Sequence, residues 1–180
     1  MRIESNKTQV LIVDIQEKLF PHMDKQKQLF SKIIKLIQGL KLFKIPFILN
    51  EQYPKGIGNT IAPIKELLIK EKTYEKTSFS CCKNLTTMEK IRDNNKKFVI
   101  VFGIEAHVCV MQSVLDLLEN NFIPILVTDC ISSRNPYDKK IAMKRMENAG
   151  AILATYESIL FELCSDAKNY VFKDISKIVK

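Results

Sequence analysis

The chain predicts an α/β domain built on a mainly parallel sheet covered on both faces, and three observations carry that expectation. Short apolar runs such as 9–13 (QVLIV) and 98–102 (FVIVF) read as strands buried on both sides rather than on one. Longer stretches at helical spacing alternate with them, the pattern of repeated βαβ units. Finally, Asp14, Asn50, Gly103 and Asp129 each follow an apolar run. In open parallel sheets the ligand crevice lies beyond such strand ends, so these four are expected to share one.

Residues 9–13 form the first strand, ending at Asp14. From Lys25 to Phe43, Leu29, Ile33, Leu36, Ile37, Leu40 and Phe43 fall on one face with lysines opposite, which predicts an amphipathic helix. Residues 45–49 (IPFIL) give the second strand, with Pro46 tolerable near its start. A long turn from Asn50 to Asn59 contains Pro54, Gly56 and Gly58. Residues 60–71 read as a short helix or helical turn, and 72–77 is ambiguous, a short strand being one reading. Residues 84–94 fit a helix with Met88 and Ile91 inward.

The central strand is 98–102, and the helix after it, 106–120, is apolar nearly all round. Burial on several sides is expected there, a partner subunit being one candidate cover. Residues 123–128 form another strand ending at Asp129, and 135–148 a helix closed by Gly150. Residues 151–154 are the last strand; 156–165 and 168–180 are terminal helices. No repeat, low-complexity tract or linker divides the chain, so residues 1–180 are expected to form one domain. The predicted architecture is a three-layer αβα sandwich with a mainly parallel, about six-stranded, Rossmann-like sheet.

Composition narrows the function. The chain has 180 residues, enough for one sizeable core. No apolar run approaches the ~20 residues of a membrane span, and the first residues, MRIESNKTQV, lack a signal peptide's apolar core, so no membrane is expected and the cytoplasm is. Five cysteines, no C-x-x-C and only two histidines, His22 and His107, argue against a disulfide framework and a zinc site. The formal charge of +8 comes from dispersed lysines; the arginines are only Arg2, Arg92, Arg134 and Arg145. That pattern describes a solvated surface rather than a nucleic-acid interface. No G-x-G-x-x-G or P-loop occurs, so no nucleotide site of those kinds is expected.

Residues 98–110, FVIVFGIEAHVCV, concentrate the chemistry. A buried strand gives way to a helix carrying Cys109 in its first turn, where free N–H groups and the helix dipole favour a thiolate. A cysteine nucleophile also needs a proton acceptor and a cation, because a free thiol near pKa ~8.5 is mostly protonated at neutral pH. Asp14 and a lysine are the candidates. Each has a plainer reading: Cys109 as a packing thiol, Asp14 as a helix cap, the lysine as one of many on the surface.

Five segments, LIVDIQEKLF, NEQYPKGIGNT, YEKTSFS, GIEAHVCVMQSVLDLLENNF and VTDCISSR, in this order, resemble the isochorismatase-like cysteine hydrolases. The G-I-E-A-x-x-C form and the EQYP segment are most similar to the isochorismatase domain-containing subgroup. The resemblance implies a catalytic triad of Asp14, Lys76 and Cys109, with Asp14 accepting the thiol proton and later activating water. Lys76 would hold Asp14 ionised, and Cys109 would attack a carbonyl carbon to form a thioester. It also implies a cis peptide at Ile104–Glu105 and an oxyanion hole made by the backbone N–H groups of Glu105 and Cys109.

Two departures bear on substrate. Many members have Thr-Asp or Thr-Asn where this chain has Ala106-His107. The nicotinamidase branch carries an Asp-x-His metal motif and a further histidine where this chain reads Asn50-Glu51-Gln52-Tyr53, so no metal and no cofactor are expected. His107 at i−2 from Cys109 does not face it on a helix, which disfavours a Cys–His dyad. Candidate pocket walls are Gln52, Tyr53, Ile57, Phe79 and His107. The expected function is metal-independent hydrolysis of a small-molecule amide or related C–N bond, by a homo-oligomer. The alternatives are a catalytically silent scaffold of the same fold, and a nuclease or nucleic-acid binder motivated by the charge.

Overall fold

A computed structural model describes residues 1–180. Strand β1, Thr8–Val13, is wholly buried, and its place at the middle of the sheet explains why its sequence is so apolar. The chain then forms α1 (Gln26–Leu42), β2 (Phe47–Gln52), two short helices α2 (Pro54–Ile57) and α3 (Ala62–Leu67), and β3 (Thr73–Lys76). Next come α4 (Leu85–Asp93), β4 (Phe98–Ile104), α5 (Met111–Glu119) and β5 (Ile123–Ser132). The chain ends with α6 (Pro136–Asn148), β6 (Ile152–Ala154), α7 (Tyr156–Cys164) and α8 (Phe172–Val179).

All strand pairs are parallel, in the order β3-β2-β1-β4-β5-β6. The chain winds outward from β1 to β3, then restarts at β4 and winds the other way. Right-handed crossovers in opposite directions place helices on opposite faces. Accordingly α1, α7 and α8 pack as one group, while α5 and α6 pack together as part of the other layer. The six-stranded, three-layer expectation is met. No helix is long and apolar enough to cross a membrane.

The order reverses between β1 and β4, the place beyond whose strand ends open α/β sheets put their ligand crevice. Val13 lies opposite Gly103, and Asp14 is the next residue of the chain. Gly103 has φ +131, and a Cβ there would run into the Val13 carbonyl. Only glycine lets the two central strands close at this point.

Three boundaries differ from the sequence reading. β2 runs on through Asn50–Gln52, which read as turn, because pairing of Leu49–Gln52 with Thr73–Lys76 draws them into the sheet. β5 continues through Asp129 to Ser132; its register to β4 shifts between Val101 and Gly103, then resumes with Gly103 opposite Ile131. The segment predicted as one helix from 106 opens with a π-helical turn, Ala106–Val110, before α5 begins. α5 is also not covered on all sides, since Met111 and Leu118 are only partly buried and Gln112 is exposed.

Candidate active site

Register brings the polar residues together. Pairing of β2 with β3 sets Gln52 beside Lys76, and the Lys76 side chain is fully buried, reaching across to the end of β1. Its Nζ donates to Asp14 Oδ2 at 2.7 Å, Gln52 Oε1 at 2.7 Å, the Phe79 carbonyl at 3.0 Å and the Ser78 carbonyl at 3.1 Å. Three protons thus serve four acceptors, an environment made for an ammonium.

Asp14 has a positive φ of 51 and a completely buried side chain. Lys76 takes Oδ2; Oδ1 is buried without a hydrogen-bond partner. Burial pushes the Asp14 carboxyl above its ordinary range, against the charge and hydrogen bond of Lys76 and a hydrogen bond from Cys109, with Glu51 adding to the rise. Burial also pulls on Lys76 in the other direction, but the nearby thiols Cys81 and Cys109, and the Asp14 charge and hydrogen bond, hold its ammonium above the ordinary value.

Cys109 lies in the π-turn and is 7% exposed. Its neighbours Val108 and Val110 both donate to the Glu105 carbonyl, at 3.1 and 3.2 Å, winding the turn tightly about that oxygen. Burial raises the thiol, and the Asp14 charge and hydrogen bond raise it further, while Lys76 lowers it. Against the expected bias toward thiolate, burial and then the Asp14 carboxylate push the Cys109 thiol above its ordinary value. Desolvation and the adjacent carboxylate outweigh the dipole of the turn.

The Ile104–Glu105 peptide is cis. The Glu105 N–H donates to no protein acceptor. The Glu105 carboxylate is nearly buried, with Oε1 2.8 Å from Arg134 Nε and Oε2 3.5 Å from His107 Nδ1. His107 Nδ1 also lies 2.9 Å from Ser133 Oγ. No group of three His, Cys, Asp or Glu side chains is placed to hold a metal ion.

The other sequence candidates scatter. Asn50 points to α4, accepting from Thr87 Oγ1 at 2.9 Å, and Asp129 pairs with Lys32 at 3.2 Å and caps Tyr156 N–H at 2.9 Å. Neither side chain joins that of Asp14, because both residues lie within strands rather than at their ends; the Asn50 carbonyl does accept from the Asp14 N–H at 3.3 Å. A cleft of about 360 Å³ is lined by Tyr53, Pro54, Lys55, Glu75, Lys76, Thr77 and Asn84. It reaches neither Asp14 nor Cys109, so of the proposed pocket walls it includes only Tyr53. Gln52 instead binds Lys76, and Phe79 contributes its carbonyl to Lys76 while its ring is exposed. Ile57 accepts from the Lys18 N–H through its backbone.

Gln16 was given no role by the sequence reading, yet it is completely buried two residues past Asp14. Its amide donates to the Gln52 and Gly58 carbonyls at 2.9 and 2.6 Å and accepts from Gln52 N–H at 2.7 Å. It fastens the loop after β2 beside the Asp14–Lys76 pair. The signal available was a polar residue between Ile15 and the next turn, where an apolar neighbour would be ordinary. Ser113 is a second such residue: its hydroxyl donates to the Cys109 carbonyl at 2.7 Å and accepts from Cys81 N–H at 2.9 Å.

A family model, the isochorismatase domain, matches residues 8–158. Among curated relatives, isochorismatase family protein 1A of Dictyostelium discoideum is 38% identical, over 96% of this chain and 86% of that one. Among solved structures, a MAR1 ribonuclease from Caenorhabditis elegans is 36% identical with a TM-score of 0.93, covering 99% of this chain and 92% of that one. YcaC from Pseudomonas aeruginosa, with hexane-2,5-diol and covalent acrylamide, is 26% identical with a TM-score of 0.94, covering 99% and 90%.

Proposed function

The chain belongs to the isochorismatase family, and from that premise we propose that it hydrolyses a small-molecule amide or related C–N bond through a thioester on Cys109. One observation carries the reading. A fully buried ion pair, Lys76–Asp14 at 2.7 Å, leaves a carboxylate oxygen free beside a thiol. Buried ion pairs are poor stabilisers compared with apolar packing, so an incomplete one at a strand-end crevice favours chemistry over structure.

As the Cys109 sulfur attacks the substrate carbonyl carbon, its proton passes to Asp14, whose raised pKa makes it a stronger base than an exposed carboxylate. The oxyanion that forms is met by backbone N–H groups of Glu105 and Cys109. Collapse breaks the C–N bond, and Asp14 returns the proton to the leaving nitrogen. Asp14 then takes a proton from water, which attacks the thioester and restores the thiol. Lys76 compensates the Asp14 charge whenever the carboxylate is ionised. All of these steps use groups of the chain alone, with no metal. The covalent acrylamide of the P. aeruginosa relative fits a reactive nucleophile in this fold.

Ammonia or amine release from a panel of small amides and ureido compounds, with a chelator present, tests this. Release that falls about a thousandfold in Cys109→Ser is expected. Silence across the panel would return the chain to the scaffold reading, and release that survives Cys109→Ser would overturn the thioester.

A second reading, ribonuclease, is favoured by the name of the C. elegans relative and by the +8 charge. Against it, the site's cation is sealed beneath Asp14 with its protons already spent, so a phosphate would have to be met elsewhere. Cleavage of a labelled oligoribonucleotide that is lost in Asp14→Asn would support it; an intact oligoribonucleotide would dismiss it. The five unpaired cysteines fit a reducing compartment, and we place the protein in the cytoplasm.

A further inference from the structure

We infer that a cleft beside the end of β5 binds a small amino acid as its zwitterion, taking the carboxylate on Lys139 and the ammonium on Asp24. The cleft lies apart from the candidate active site, since none of Asp14, Lys76 and Cys109 lines it. Its volume is about 210 Å³, below the roughly 300–1,000 Å³ of sites for drug-sized ligands. Its occupant is therefore small, and the buried side chains of Leu29 and Ile131 give it an apolar floor.

Three elements and a loop meet there. Lys32 comes from the second turn of α1, Asp129 from β5 and Lys139 from the first turn of α6. Asp24, in the loop before α1, is clamped to the end of β5. Its N–H donates to the Ser133 carbonyl at 3.1 Å, and its carbonyl accepts from Ser132 Oγ at 2.9 Å. Those bonds use only its backbone and leave its carboxylate on the cleft wall.

Two of the charges satisfy each other. Lys32 Nζ lies 3.2 Å from Asp129 Oδ2, and Asp129 Oδ1 accepts the Tyr156 N–H at 2.9 Å. Lys25, also on the cleft, is exposed to water. Asp24 and Lys139 are each half-buried, face the same space and form no ion pair. Burial pulls the Lys139 ammonium below its ordinary value; Asp129, Asp24 and Cys130 offset this in part, and Lys32 lowers it further. A ligand carboxylate would supply the missing counter-charge.

An unspent cation and an unspent carboxylate that cannot reach each other complement a molecule bearing both charges. A plain anion would meet Asp24 and Asp129 as like charges, and a plain cation would meet Lys32 and Lys139. A zwitterion relieves both ends in one event.

Calorimetric titration of the full chain with glycine, β-alanine and 4-aminobutanoate tests this, with acetate and methylammonium as single-charge controls. One zwitterion of the series is expected to bind at one site, at least about tenfold tighter than either control. Asp24→Asn and Lys139→Met should each weaken it by about tenfold or more, whereas Lys144→Met, exposed on the same helix, should not. The comparison of zwitterions with controls in the unaltered protein needs no variant to fold. No binding by any of the three up to about 50 mM would overturn the inference. Equal binding of acetate that survives Asp24→Asn would make the cleft a simple anion site and also overturn it. Binding that persists in both variants would lie elsewhere and do the same. None of these outcomes bears on the chemistry at Cys109, which rests on other residues.

Discussion

In the proposed mechanism the chemistry turns on Asp14, which meets a cation through one carboxylate oxygen and leaves the other without a hydrogen bond. Its charge raises the Cys109 thiol, while Lys76 lowers it. The two substitutions should therefore act in opposite directions. In Asp14→Asn, Cys109 should alkylate at least as fast as before, although hydrolysis is lost. In Lys76→Met, alkylation should slow several-fold, and the unpaired buried carboxylate should cost about 3–5 kcal/mol of stability by chemical denaturation. Because a base must be ionised to act and burial raises Asp14, kcat/KM should decline with falling pH at a value above the usual carboxylate range. Lys76, held above its ordinary value, contributes its share of stability through neutral pH and loses it only as pH rises through that raised value. An acid limb at or below the ordinary carboxylate range would contradict the assignment. Asp14 and Cys109 stood out in the sequence because each closes or follows an apolar strand. The state of the thiol did not, since desolvation depends on what packs around it.

Among the elements, β1 and β4 matter most, since their ends hold Asp14 and the Cys109 turn. Gly103 is where they meet, and Gly103→Ala should destabilise the protein by more than about 3 kcal/mol, read as a fall in denaturation midpoint. A loss under 1 kcal/mol would mean that the strands can part without consequence. Helix α4 gives a milder control: Asn84 caps it by accepting from Thr87 N–H at 3.0 Å, so Asn84→Ala should cost about 1 kcal/mol. The strands and long helices were legible because apolar runs and helical spacing are local signals. The ends of β2 and β5 were not, because Asn50–Gln52 and Asp129–Ser132 are polar enough to read as turns. Only a neighbouring strand, supplied from elsewhere in the chain, holds them extended.

At the level of the whole molecule, the doubly wound order explains why residues from positions 14, 76 and 109 converge. Three strand ends, β1, β3 and β4, open on one rim, and only the family resemblance of YEKTSFS, not periodicity or charge, singled Lys76 out from the lysines around it. What that rim lacks is a wall. Tyr53 and Phe79 are each about half exposed, and both are tied by backbone to Lys76. Large aromatic faces left in water beside a site fit cover by a second copy, and a homo-oligomer is expected by light scattering at micromolar concentration. Tyr53→Ser with Phe79→Ser should shift it toward monomer. A monomeric protein under those conditions would mean that the aromatics serve substrate alone.

In the proposed mechanism Cys109 carries the acyl group and Asp14 is needed to remove it. Peptide mass mapping after incubation with p-nitrophenyl acetate tests this directly, since that ester's leaving group requires no proton. Asp14→Asn should accumulate acetyl on the Cys109 peptide, while the unaltered protein clears it and Cys109→Ala acquires none. Acetyl found only on surface lysines, or lost equally fast from both proteins, would contradict the mechanism.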